Sequence, residues 1–64
     1  MKRYLDLTQA EAEALAVAEG REVEFFPESE DEGAFLRIST ALGNGCDLIL
    51  EDGIVVEYAF CDWL

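Results

Sequence analysis

The side chains that could do chemistry here are fifteen carboxylates, four bases and the thiols of Cys46 and Cys61, with no histidine among them. Without imidazole there is no ordinary general base near neutral pH, no Ser-His or Cys-His nucleophile pair and no imidazole metal ligand. The cysteines are too far apart for a zinc knuckle or a Cys-x-x-Cys redox motif. Gly43-x-Gly45 lacks the third glycine and the lysine of phosphate-binding loops. Paired carboxylates are inevitable at this density and carry no glycosidase signal without a cleft. Residues 28–32 offer oxygen ligands but not the spaced ligands, central glycine and terminal glutamate of an EF-hand loop. No catalytic residue, metal ligand or cofactor motif is legible, so the expectation is a protein that acts by binding and is not an enzyme.

Charge decides what it could bind. Fifteen acids against four bases give a formal charge of −11 over 64 residues. Like charges repel and oppose compaction, so acidity this strong invites a functional reading beyond solubility. Lys2, Arg3, Arg21 and Arg37 cannot form a phosphate-neutralising patch, which excludes direct binding to nucleic acid or to an anionic membrane. A charge-driven partner must therefore be basic. At 52% hydrophobic residues the chain is too apolar for disorder. A chain this short buries only about 60% of its unfolded surface, so residues 1–64 are expected to form a single domain. There is no apolar run approaching the ~20 residues of a membrane span, and Met-Lys-Arg-Tyr-Leu-Asp-Leu lacks the apolar centre of a secretory signal. The expected compartment is the cytoplasm, where Cys46 and Cys61 would stay reduced as small buried apolar residues.

The elements follow from capping and periodicity. Thr8-Gln9-Ala10-Glu11 is a capping box, and Gly20 supplies a left-handed stop, which predicts a helix over 9–19. Leu15, Ala12, Ala16 and the stem of Glu19 lie along its packed stripe, and Leu5 and Leu7 anchor its approach. Glu22-Val23-Glu24-Phe25-Phe26 then alternates as a strand, with Val23 and Phe25 on one face and Glu22 and Glu24 on the other. Pro27 ends it, residues 28–32 form an acidic loop, and Ala34-Phe35-Leu36-Arg37-Ile38-Ser39 returns as a second strand. Gly43-Asn44-Gly45 reads as a turn. Asp52-Gly53 is the strongest hairpin signal, joining two strands over 46–51 and 54–60.

A two-residue loop there sets Leu50 opposite Val55, Ile49 opposite Val56, Asp47 opposite Tyr58 and Cys46 opposite Ala59. Cys61 would then lie diagonal to Cys46 at ~7–8 Å, too far for a disulfide. In that register Leu48, Leu50, Val55 and Ala59 share one face, and Ile49, Ile54, Val56, Tyr58 and Phe60 the other. One helix cannot cover both, so Tyr58 and Phe60 are candidate apolar contacts. Trp63 reads as a lid on the core, with an interface anchor as the alternative. The fold class is α+β, with one N-terminal helix on a small antiparallel sheet of three to four strands.

The outward Glu22 and Glu24 lead towards Glu28, Glu30, Asp31 and Glu32. These six are the candidate partner-binding residues, expected to make one negative face. Same-face side chains on a strand are ~6.8 Å apart, loosely comparable to phosphate spacing along one nucleic-acid strand. Such carboxylates pair strongly with arginine and lysine.

With its capped helix, Gly20, the Glu22-Val23-Glu24-Phe25-Phe26 strand and the Asp52-Gly53 hairpin, this small acidic chain resembles the single-domain anti-CRISPR proteins of phages and mobile elements. The likeness is closest to those directed at type I complexes. It rests on size, charge and layout rather than on a motif, so no functional residue is carried over. It implies inhibition by DNA mimicry in the cytoplasm of a bacterial host. The implied partner is a basic nucleic-acid-binding protein, the large subunit of a type I-C Cas effector complex. An antirestriction protein or another DNA-mimic inhibitor would use the same face. A structural or accessory protein that forms a homodimer through its apolar strand face is the alternative of another class.

Overall fold

The computed structural model describes residues 3–61, so the expectations for Lys2 and Trp63 lie outside the described residues. A helix α1 (Gln9–Ala18) is followed by four strands, β1 (Glu22–Phe26), β2 (Phe35–Ser39), β3 (Gly45–Glu51) and β4 (Ile54–Ala59). The strands pair antiparallel in sequence order, β1-β2-β3-β4. The fold is thus α+β, one helix on one antiparallel sheet.

Both helix ends follow from local chemistry. The Thr8 hydroxyl accepts from the Glu11 N–H and the Glu11 carboxylate accepts from the Thr8 N–H, satisfying two otherwise orphaned donors. At the other end Gly20 takes φ +77°, a conformation costly for any residue with a β-carbon. The helix seats two alanines, Ala12 and Ala16, on the sheet with no exposure at all. Their small side chains let the helix backbone come close to Leu36, Ile38, Leu48 and Val55, all fully buried in the same cluster.

Tyr4, to which the sequence pattern assigns no role, closes this layer at 1% exposure. Its hydroxyl donates to Glu19 Oε1 at 2.6 Å and accepts from Arg21 Nη1 at 2.9 Å, so the buried ring keeps its polar end satisfied. Arg3 and Arg21 both pair with Glu19. The backbone N–H of Tyr4 donates to the Tyr58 hydroxyl at 2.8 Å, tying the N-terminal segment to β4.

The second hairpin departs from the expected register. Asp52 and Gly53 both take positive φ, 52° and 79°, as a two-residue turn that matches strand twist requires. The pairings Glu51–Ile54 and Leu50–Val55 follow as expected, but the next pair is Ile49–Glu57. Val56 is therefore bulged out, and every later residue of β4 shifts by one. A one-residue shift changes faces. Tyr58 moves opposite Leu48 on the helix-covered face, and Ala59 moves opposite Asp47 on the outer face. Tyr58 is thus not an open-face apolar contact: burial pushes its phenol up, and the bond from Tyr4 works against that. Phe60 remains 90% exposed.

The same shift corrects the reading of the thiols. The Cα atoms of Cys46 and Cys61 lie 4.5 Å apart and the sulfurs form a disulfide, where the unbulged register had set them apart. The bond fastens the end of β4 across buried Cys46.

Two outcomes are expected. Replacing both cysteines by serine should lower stability by about 3 kcal/mol, the loop-closure value for a ~15-residue loop, read from urea midpoints with and without reductant. Thr8→Ala should cost about 1 kcal/mol. Bonding to Thr8 holds the Glu11 carboxyl below its usual range, so its contribution is complete above the ordinary carboxylate range and fades as pH falls through the lowered value. In Thr8→Ala the Glu11 carboxyl resonance should titrate at higher pH than in the parent protein.

Candidate partner-binding surface

An antiparallel meander places alternate connections at opposite ends of the sheet. The β1–β2 loop and the β3–β4 turn therefore share one end, with the β2–β3 loop at the other. The helix begins at the first of these ends, where the Gln9 N–H donates to the Gly53 carbonyl at 2.9 Å and Thr8 bridges to Ile54. Glu28, Glu30, Asp31 and Glu32 are all exposed there. The Ser29 N–H donates to the Glu32 carbonyl at 2.8 Å and the Glu32 N–H donates to Ser29 Oγ at 3.2 Å, which closes the loop and sets Glu30 and Asp31 at its apex.

The end is more acidic than periodicity alone indicates. Glu51 and Asp52, exposed on the neighbouring turn, come beside the loop: both share one groove with Glu28. Neither was legible as a site residue, because finding them requires knowing that the two turns share an end. The signal was the run of hairpin connections, which implies a meander. Arg3 and Arg21 sit at the far end of the helix with Glu19, where the helix dipole favours positive charge. Among the described residues, the ion pairs engage Glu19 and Asp47 and leave all six proposed carboxylates without one.

The six are not laid on one flat face. Glu22 and Glu24 point outward from β1, but the next outward position is Phe26, stacked on Phe35 with ring centroids 4.7 Å apart and planes within 11°. Beyond it the loop straddles the sheet edge. Glu28 borders the groove on the helix side, and Glu32 borders a shallow trough on the outer side with Phe35, Ile49 and Phe60. Glu22 and Glu24 thus form a flank, and the loop and turn form the acidic end.

The middle of the outer face is electrically quiet. Arg37 stands between Glu24 and Asp47 in the sheet register. It donates from Nε to Asp47 Oδ1 at 2.9 Å and from Nη2 to Oδ2 at 3.3 Å, a bidentate pair. That bond, then the Asp47 charge, and more weakly the charges of Glu24 and Glu32, raise its pKa further above the ordinary arginine value. Its guanidinium also lies 5.1 Å from the Phe26 centroid and 5.6 Å from that of Phe35. Asp47 is only 7% exposed, so Arg37 answers a carboxylate that water cannot solvate.

No three acid or thiol side chains converge to hold a metal ion among the described residues. No helix among them is long and apolar enough to cross a membrane. No family model, curated protein or solved structure matches the chain.

Arg37→Met should destabilise the fold by stranding the Asp47 carboxylate, and Asp47→Asn in the same chain should recover most of the loss. Glu24→Gln, which removes a neighbour that makes no bond to Arg37, should leave the thermal midpoint within a degree or two of the parent, an effect about as small as most surface changes.

Proposed function

We propose that this protein is an inhibitor that acts by binding. Its acidic end and β1 flank occupy the nucleic-acid-binding surface of a basic partner. The observation that carries the reading is the gathering of Glu28, Glu30, Asp31, Glu32, Glu51 and Asp52 at one end of the sheet, exposed and, among the described residues, engaged in no ion pair. A concentrated field of one sign accelerates encounter with an oppositely charged surface and disfavours all others. Carboxylates held on short, hydrogen-bonded turns meet arginine and lysine with little ordering cost on binding. The resemblance in size, charge and layout to anti-CRISPR proteins makes the DNA-binding surface of a type I effector, in particular the large subunit of a type I-C complex, the first partner to test. The reading places the protein in the bacterial cytoplasm. The Cys46–Cys61 bond would meet reducing conditions there, but the acidic loop belongs to the other hairpin and keeps its own hydrogen bonds.

A second reading has its own support. Phe60, at 90% exposure, stands beside Phe35 and Ile49 on the outer face, as a homodimer or an accessory docking surface would present it. Because Tyr58 faces the helix, the substitution that separates the two readings is Phe60→Asp.

The test is to titrate the protein into a purified type I-C effector and measure target-duplex binding across a salt series. Inhibition that competes with DNA, weakens with salt and disappears in the Glu30→Lys, Asp31→Lys, Glu32→Lys variant is expected. Undiminished DNA binding at saturating protein rules out this target, and full inhibition after neutralising all six candidate residues rules out the surface. A sedimentation series at high salt addresses the second reading: a dimer that persists there and is lost in Phe60→Asp would put the apolar face first.

A further inference from the structure

Between the two acidic connections lies a groove of about 430 Å3, within the ~300–1,000 Å3 range of clefts that hold small ligands. It opens because the ten-residue helix stops covering the sheet at Gln9. Its lining combines two chemistries. Phe25, Ala34 and Leu50 supply apolar surface, and Glu28, Glu51 and Asp52 supply carboxylates. Leu50 is buried, whereas Phe25 is 43% exposed, large for a phenyl ring on the helix-covered side of a sheet. Among the described residues, no lysine or arginine lines the groove. The outer trough differs, because Arg37 and Asp47 already occupy and neutralise it.

An apolar floor under an anionic rim matches one kind of side chain, an aliphatic stem that ends in a cation. We infer that this groove receives an arginine or lysine side chain of the basic partner, its stem on Phe25, Ala34 and Leu50 and its charged head among Glu28, Glu51 and Asp52. The inference rests on the basic-partner reading and deepens it, adding an anchored position to a diffuse field. Charge selects the occupant. A second copy would bring another −11 to the contact, whereas a guanidinium or ammonium group gains both carboxylate pairing and the face of the Phe25 ring. The helix N-terminus that borders the groove does not repel the cation strongly, since Thr8 accepts from the Glu11 N–H, the Gly53 carbonyl accepts from the Gln9 N–H, and the Glu11 carboxylate sets a negative charge in the first turn.

The experiment uses n-butylguanidinium and n-butylammonium, which carry the stems and heads of arginine and lysine, with guanidinium and n-butanol as half-ligands. Each is titrated into the 15N-labelled full chain. Expected are saturable shifts at Phe25, Ala34, Leu50 and Gly53, with n-butylguanidinium binding about tenfold more tightly than guanidinium because part of its stem leaves water. Two variants with equal charge change separate the groove from the general field. Glu51→Gln with Asp52→Asn should abolish that preference. It preserves the turn, since asparagine tolerates the positive φ at position 52. Glu30→Gln with Asp31→Asn should leave the preference intact.

Equal binding of guanidinium and n-butylguanidinium, equal loss in both variants, or n-butanol binding as well as the cations would each overturn the inference. So would shifts spread over all exposed carboxylates. Protamine, titrated in parallel, tests the broader reading. If it binds while the butyl cations fail, the acidic end stands without an anchored groove; if neither binds, both fall.

Discussion

The contact of Ala12 and Ala16 with Leu36, Ile38, Leu48 and Val55 is a single apolar layer, with no second buried cluster among the described residues. It must hold together a molecule of net charge −11. Two features make so thin a layer sufficient. The alanines bring the helix close enough for the layer to be dry, and Tyr4 fills the margin that small side chains leave open while its hydroxyl stays bonded to Glu19 and Arg21. Repulsion is reduced by placement as well, since the acidic connections project from one end of the sheet into high-dielectric solvent, where like charges cost least.

That placement also separates mechanical and electrostatic duties. Arg3, Arg21, Glu19 and Tyr4 tie the far end of the helix to the N-terminal segment, and Arg37 with Asp47 stiffens the sheet centre. Among the described residues, every arginine is engaged in the fold. Among the described residues no ion pair uses the carboxylates of the acidic end, so changes there can alter recognition while the core stays as it is. The principal extents of 31 × 20 × 18 Å give the charge a long axis along which to be unevenly spread.

Much of this architecture was legible because its signals are local. The capping box at Thr8, the left-handed Gly20 and the Asp52-Gly53 turn each specify backbone geometry within a few residues, and all three stand as read. The alternation of Glu22 to Phe25 likewise gave the faces of β1. The bulge at Val56 was not legible, because Val55, Val56 and Ile54 are equally good strand residues and pattern alone does not say which leaves the ladder. That single displacement moved Tyr58 to the covered face and brought Cys61 to Cys46. Glu51 and Asp52 were missed for another reason: their role as neighbours of the acidic loop exists only once the two hairpins lie side by side. Tyr4 was missed because a lone aromatic before a helix has no period to read.

The pairing of residues 6–9 with β4 bears on how the chain reaches this state. The Asp6 N–H donates to the Val55 carbonyl and the Val55 N–H to the Leu7 carbonyl, so the segment leading into the helix is held by nearly the last strand. During synthesis the helix sequence leaves the ribosome before its anchor on β4, with three strands between them. The β1–β2 hairpin can pair early, yet the layer beneath the helix closes only when the closing strand is available. Closure of the layer is therefore set by the joining of residues 6–9 to β4 rather than by vectorial growth from the helix.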